Sequence, residues 1–304
     1  MRDTGPMTFR SGFACFVGRP NAGKSTLTNA LIGSKVAITS SRPQTTRHAI
    51  RGIVHREDAQ LVLVDTPGLH KPRTLLGQRL NDLVRETYAN VDVVCFCVPA
   101  DEKVGPGDRF IALELAQLRT PVIAVVTKTD KADKQQIGEQ LLAVSQLHDW
   151  AEVVPVSAVA QFQVDLLSDL LVQRLPEGPA LYPDGELTDE PEQTLVAELI
   201  REAALEGVRD ELPHSIAVTI EEMNPRADRP DDRPLLDIFA TVHVERDSQK
   251  GIVLGSGGAR LKGVGSTARR QIEVLLGTPV YLDLHVAVAK DWQRDPRQLR
   301  KLGF

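Results

Sequence analysis

Nine residues near the start of the chain, GRPNAGKST from Gly18 to Thr26, fit the pattern G-x-x-x-x-G-K-[ST]. Glycines in such a loop let backbone N–H groups curl round a phosphate, and the start of a following helix adds its positive end. Gly18, Arg19, Pro20, Asn21, Ala22, Gly23 and Thr26 form the cradle, Lys24 reaches β- and γ-phosphates, and Ser25 offers a hydroxyl to Mg²⁺. This chemistry selects a nucleoside triphosphate without choosing the base. A second motif, Asp65-Thr66-Pro67-Gly68, ends a strand-like run. Asp65 suits a water-bridged Mg²⁺, and the Gly68 N–H is placed to sense a γ-phosphate and to move when it leaves.

The base is chosen further on. Asp130 in TKTD is expected to accept hydrogen bonds from N1–H and N2–H₂ of guanine, donors that adenine lacks. Lys128 lays its aliphatic stem across the base plane. Ser157 and Ala158 end the next strand-like run, with the Ala158 N–H available to guanine O6. In their order these four motifs, with the loop RPQTTRHAIRG between the first two, resemble those of the translation-factor class of GTPases. An ATPase or kinase is disfavoured by TKTD and DTPG. Two departures stand out. Thr127 occupies a position where asparagine is common, offering a hydroxyl but no amide. Leu69 follows DTPG where many GTPases carry a water-orienting glutamine, so a slow intrinsic rate is expected. Between the first helix and the next strand lies RPQTTRHAIRG. Either Thr45 or Thr46 is a candidate to complete the Mg²⁺ shell and tie the loop to the γ-phosphate; the residues alone leave that choice open. The catalytic set expected from the sequence is therefore Lys24, Thr45, Thr46 and Gly68.

The elements that must position these residues alternate. Apolar β-branched runs (FACFV, HAIRGIV, LVLVD, VDVVCFCV, PVIAVVT, EVVPVS) are interleaved with amphipathic stretches such as Lys24 to Ile32. That pattern argues for an α/β P-loop domain, a mixed and mostly parallel sheet with helices on both faces, whose ligands sit beyond the strand C-termini. Residues 10–176 are read as this domain. Residues 177–193, rich in proline and acid, read as a linker. Residues 194–304 read as a smaller α+β domain: a helix from Thr194 to Glu211, a hairpin of two strands, a short helix, a glycine loop, a longer helix and a last strand VYLDLHVAV.

That second glycine loop, GSGG at Gly255, Ser256, Gly257 and Gly258, lies among Lys250, Arg260, Lys262, Arg269 and Arg270. The chain as a whole carries a net charge of −5, so a surface for a polyanion must be local, and here the basic residues cluster. The element order resembles a type II KH domain, in which a GxxG loop clamps about four single-stranded nucleotides. Ser256 stands where such loops often hold a lysine or arginine, which predicts weaker or more salt-sensitive RNA binding. Composition excludes other classes. No apolar run approaches the ~20 residues of a membrane span. The N-terminal residues have no apolar segment of the signal-peptide kind. The three cysteines, Cys15, Cys95 and Cys97, read as buried hydrophobes in a reducing compartment.

GRPNAGKST, PQTTRHAIRG, DTPGLHKP, LPEGPALYPD, VERDSQKGIVLGSGGARLKGVGSTARRQIE and VYLDLHVAV together resemble the Era family of bacterial GTPases, from about Phe13 to the C-terminus. The resemblance places the chain in the hydrophobic-substituted branch of GTPases. It implies GTP hydrolysis with Mg²⁺, and binding near the 3′ end of small-subunit rRNA in 30S ribosome assembly. It further implies a monomer in the cytoplasm, with peripheral membrane association in some members. Asn21 matches an asparagine that coordinates K⁺ in part of that branch. An alternative reading keeps the GTPase but gives its output to a protein or membrane partner, with RNA binding weakly retained.

Overall fold

The computed structural model describes residues 8–39, 45–208, 215–227, 229–230 and 233–304. The expected helix end at Glu211 and part of the loop NPRADRPDDRP lie outside the described residues. The chain divides into two compact units. One comprises residues up to Thr39, Thr46–Lys71 and Leu80–Asp189; the other comprises Thr45, Pro72–Arg79 and Glu190–Phe304.

The first unit is built on six strands: β1 (Arg10–Gly18), β2 (Ile50–His55), β3 (Ala59–Asp65), β4 (Val93–Pro99), β5 (Val122–Thr127) and β6 (Glu152–Pro155), in the order β2-β3-β1-β4-β5-β6. Only β2 runs antiparallel, against β3; every other pair is parallel. Strands β3, β4 and β5 are buried along their whole length, as parallel strands covered on both faces must be. The strand period of two sorts the core. Ala14, Phe16, Leu61, Leu63, Cys95 and Cys97 pack with Leu27 and Leu31 of α1 (Lys24–Ile32) and with Leu167 and Leu171 of α5 (Val164–Val172). Cys15, Val17, Val94, Phe96 and Val98 face the other way. There they meet Val84 of α2 (Leu75–Ala89), Ile111 and Leu115 of α3 (Pro106–Leu115), and Val144 of α4 (Lys134–Ser145). All three cysteines are free and fully buried, and burial pushes the Cys97 thiol up to about 12.

The acidic, proline-rich stretch after Leu175 does more than connect. Its residues 178–189 are tied down within the first unit. The Gln60 side chain accepts from the Leu181 and Tyr182 N–H groups at 2.6 and 2.9 Å and donates to the Tyr182 carbonyl at 2.9 Å. Leu187 accepts from Ile53 N–H, and Asp189 pairs with Arg51 at 3.0 Å. The segment therefore covers the otherwise open edge of β2, the kind of edge that invites wrong pairing when left bare.

The second unit has helix α6 (Glu192–Leu205), strands β7 (Ala217–Pro225), β8 (Leu236–Val244) and β9 (Val280–Val288), and helices α7 (Asp247–Leu254), α8 (Ala259–Leu276) and α9 (Pro296–Lys301). Its sheet order is β7-β8-β9, antiparallel then parallel. Helix α6 stops at Leu205, earlier than its apolar periodicity predicts. Glu206 turns extended and Gly207 takes φ 69°, a left-handed turn that ends the helix. Conversely, α8 runs through Gly263 and Gly265 for 18 residues, because packing on α6 and β9 overrides the low helix propensity of glycine.

Gln60 is 2% exposed, and truncating it removes the partner of three part-buried backbone groups. Gln60→Ala is expected to lower unfolding free energy by about 1–3 kcal/mol in denaturant titration and to make 178–189 more sensitive to protease.

Candidate functional site

β1 ends at Gly18 and α1 begins at Lys24, so the phosphate loop bridges a strand end and a helix start. The β1–β3 register sets Phe16 beside Asp65, which brings the end of β3 alongside the loop. Lys24 is 6% exposed; its ammonium donates to the Arg19 carbonyl at 3.0 Å and the Gly18 carbonyl at 3.4 Å. Burial pushes its pKa down, and the Asp65 charge pulls it back up. Asp65 is fully buried, and burial raises its carboxyl to about 6, against opposing bonds from Ser25 and Thr46 and the charge of Lys24. Ser25 Oγ donates to Asp65 Oδ2 at 2.7 Å, and Thr46 Oγ1 does so at 3.1 Å; the two hydroxyls lie 2.9 Å apart. The other carboxylate oxygen, Asp65 Oδ1, is buried with no hydrogen-bond partner among the described residues. Two hydroxyls and an orphaned carboxylate oxygen form an all-oxygen donor set of the kind Mg²⁺ takes.

Of the two threonines left open by the sequence, Thr46 is the one bonded to Asp65. Thr45 belongs to the second unit, where its carbonyl accepts from Arg201. Gly68 lies against the loop: a Cβ there would sit 2.5 Å from the Pro20 nitrogen, which no side chain allows. Leu69 donates its N–H to the Gly18 carbonyl at 3.1 Å, and its side chain is buried in the core at 3% exposure. It has no group with which to orient a water.

A cavity of about 100 Å³ opens beyond the ends of β5 and β6, lined by Gly23, Thr26, Thr127, Lys128, Asp130 and Ala158 among others. Thr127 donates through Oγ1 to the Ala22 carbonyl at 2.7 Å, so its hydroxyl makes a contact to the phosphate loop. Lys128 takes φ 57° and pairs loosely with Asp101 at 3.9 Å. Ser157 Oγ donates to Asp130 Oδ1 at 2.6 Å and accepts from the Ala160 N–H at 3.0 Å. Ser157 thus aims a carboxylate at the cavity, which differs from contacting the nucleotide itself. Leu27, Val156 and Val159 supply apolar walls, of which Leu27 and Val159 were not singled out by the motifs.

In the second unit the GSGG loop joins α7 to α8. Gly255, Gly257 and Gly258 have φ of 70°, 57° and 79°, and a Cβ at Gly257 or Gly258 would meet nothing within 4 Å. The loop needs glycine for its backbone shape and leaves its main chain open to approach. Beside it, a groove of about 560 Å³ is lined by Gly258, Lys262, Gly265, Arg269, Tyr281 and Leu284, among others. Of the basic residues singled out by sequence, Lys262 and Arg269 reach this groove. Arg260 is directed elsewhere: its guanidinium donates to the Ala204 and Glu206 carbonyls at 3.2 and 2.8 Å, at the C-terminal end of α6. Lys250 and Arg270 are not among the lining residues.

A phosphate loop, a carboxylate-and-hydroxyl cation site and a base cavity on this sheet define a P-loop GTPase domain, here followed by a KH domain. Residues 13–128 match the family described as "50S ribosome-binding GTPase", and residues 211–293 match the family described as "KH domain". The chain is 74% identical over 301 residues to GTPase Era of Streptomyces coelicolor, covering 97% of this chain and 95% of that one. It is 68% identical over 299 residues to GTPase Era of Mycolicibacterium smegmatis, covering 97% and 99%. A crystal structure of Era in complex with MgGDPNP and nucleotides 1506–1542 of 16S ribosomal RNA superposes with a TM-score of 0.93 at 36% identity, over 97% of this chain and 99% of that one. A crystal structure of an Aquifex aeolicus Era variant bound to GDP·AlF₄⁻ gives a TM-score of 0.92 at 36% identity, over the same shares of the two chains. The chain belongs to the GTPase Era family.

Asp130→Asn is expected to cut the preference for GTP over ATP by roughly 100-fold or more, read by nucleotide competition. An unchanged preference would mean that Asp130 does not read the base.

Proposed function

We propose that this GTPase acts as a switch that binds RNA through its KH domain, that its RNA is the 3′ end of small-subunit rRNA, and that it serves 30S ribosome assembly. The observation that carries this reading is the near-complete structural match to an Era that was solved with MgGDPNP and 16S rRNA nucleotides. The open GSGG backbone, with Lys262 and Arg269 beside it, supplies the donors and charge that a phosphate chain requires.

In this reading Gly18 to Thr26 cradle the phosphates, and Lys24 carries its charge to the β- and γ-phosphates. Ser25 and Thr46, with Asp65 through water, would hold Mg²⁺, which would neutralise phosphate charge. Gly68 follows the γ-phosphate, and its closeness to Pro20 leaves no room for another residue. Asp130, held by Ser157, reads guanine. With Leu69 buried, no side chain at that position positions the attacking water, so intrinsic hydrolysis is slow and depends on groups supplied elsewhere. Asn21 makes K⁺ a candidate stimulant: replacing K⁺ by Na⁺ is expected to slow turnover, and equal rates in the two salts would remove K⁺ from the account.

Among the described residues no helix is long and apolar enough to cross a membrane. The working site inferred is the cytoplasm. Peripheral attachment is a second reading, because a basic groove suits anionic lipid headgroups as well as RNA.

Affinity for a single-stranded copy of the small-subunit rRNA 3′ end, titrated at fixed salt, tests the proposal. Binding is expected to be tighter with a non-hydrolysable GTP analogue than with GDP. Gly257→Asp, which places a carboxylate on the open loop, is expected to abolish it while GTP hydrolysis persists. Equal affinity in both nucleotide states would exclude a switch. No binding at all, with flotation on anionic vesicles, would favour the membrane reading.

A further inference from the structure

The phosphate loop carries an arginine, Arg19, whose side chain the account above leaves without a task. Its side chain turns away from the cradle and lies on the first turn of α3. Arg19 Nε donates to Asp108 Oδ1 at 2.7 Å, and Asp108 is fully buried. The second carboxylate oxygen, Oδ2, accepts from the Gly105 N–H at 2.8 Å, so both oxygens are engaged and the carboxylate cannot swing. Gly107 makes the approach feasible: a Cβ there would lie 2.9 Å from Arg19 Cδ. A weaker tie runs from Arg19 Nη1 to the half-exposed Glu102 at 3.2 Å.

The backbone of the same arginine faces the cradle. Its carbonyl is the nearer of the two that hold the buried Lys24 ammonium, at 3.0 Å. A carbonyl can orient a buried ammonium only if its own peptide is fixed. The Ala22 N–H also donates to this carbonyl, at 3.3 Å, and the Arg19 side chain, held by Asp108, is a second tie on the same residue.

We propose that Asp108 is a positioning residue for nucleotide binding, acting through the Arg19 side chain and carbonyl on Lys24. It touches no nucleotide itself. Its effect is confined to the part of the ligand that Lys24 reaches, the β- and γ-phosphates. This inference rests on the reading of Lys24 as the phosphate-binding lysine.

The test compares GMP, GDP and GTP affinities of the full chain by calorimetric titration, for Asp108→Asn, Arg19→Met and the double variant. Each single variant is expected to weaken GDP and GTP about tenfold, the scale of a lost charge-assisted bond. GMP, which has no β-phosphate, is expected to stay within about twofold. The double variant is expected to be no weaker than either single one, because both remove the same tie. Arg19→Lys, which keeps charge and bulk, covers the case in which Asp108→Asn fails to fold, and is expected to retain part of the lost affinity. Glu102→Gln, removing an exposed partner, is expected to change nothing. Equal weakening of all three nucleotides would reduce the pair to general scaffolding and overturn the proposal. So would additive losses in the double variant, or wild-type GDP and GTP affinity in both singles. Lys24→Met separates the two readings: if it spares GDP and GTP affinity, the phosphate role of Lys24 itself falls, and this proposal falls with it.

Discussion

A lysine ammonium buried to 6% exposure is the constraint around which the first unit is arranged. An unpaired charge at that depth would cost several kcal/mol. Two carbonyls, those of Gly18 and Arg19, and the carboxylate of Asp65 offset the cost. Each comes from a different requirement of the fold. The carbonyls exist because β1 ends just before the loop; the carboxylate is there because β3 ends beside β1 in parallel register. Burial pushes Lys24 down and Asp65 up, each toward its neutral form, and the attraction between the two charges opposes both shifts. The site is in this sense pre-charged for an anion and a cation at once, which is the arrangement a nucleotide–metal pair needs.

The two glycine loops present backbone in different surroundings. The first is enclosed: Gly68 abuts Pro20, Thr127 reaches in to Ala22, and the walls belong to the sheet. The second is open, with nothing within 4 Å of where a Cβ at Gly257 or Gly258 would be. An enclosed loop suits a small ligand recognised on all sides. An open one suits a chain that enters and leaves, and the adjoining groove along α8 and β9 extends it. Ser256 sits in that open loop without a charge, so Lys262 and Arg269 are the cations that line the groove beside it.

The departures from the common GTPase pattern separate on physical grounds. Thr127 lacks an amide, yet its hydroxyl makes a 2.7 Å bond to the phosphate loop, so tethering of that loop to β5 is retained. Leu69 has no such substitute, because its side chain serves the core. The two departures therefore differ in consequence: the Thr127 hydroxyl keeps a tie to the phosphate loop, and the buried Leu69 leaves its position without a polar group.

Much of this was legible in the sequence because the chemistry is local. A phosphate loop needs glycines and a lysine within a few residues, and parallel strands covered on both faces need continuous apolar runs. Spacing alone therefore disclosed the order of strands and helices, the motifs at strand ends and the glycine loop of the KH domain. Contacts between distant residues were not legible, because nothing in the local pattern encodes which side a long side chain turns to. Only the tertiary structure decided that Thr46 rather than Thr45 bonds Asp65, that Ser157 serves Asp130, and that Arg260 caps carbonyls at the end of α6 while Lys262 and Arg269 line the groove. It likewise decided that 178–189 covers β2, that α8 continues through two glycines, and that Arg19 is anchored to α3. Each of these is settled by burial and by pairing between residues far apart in the chain, where packing rather than propensity sets the outcome.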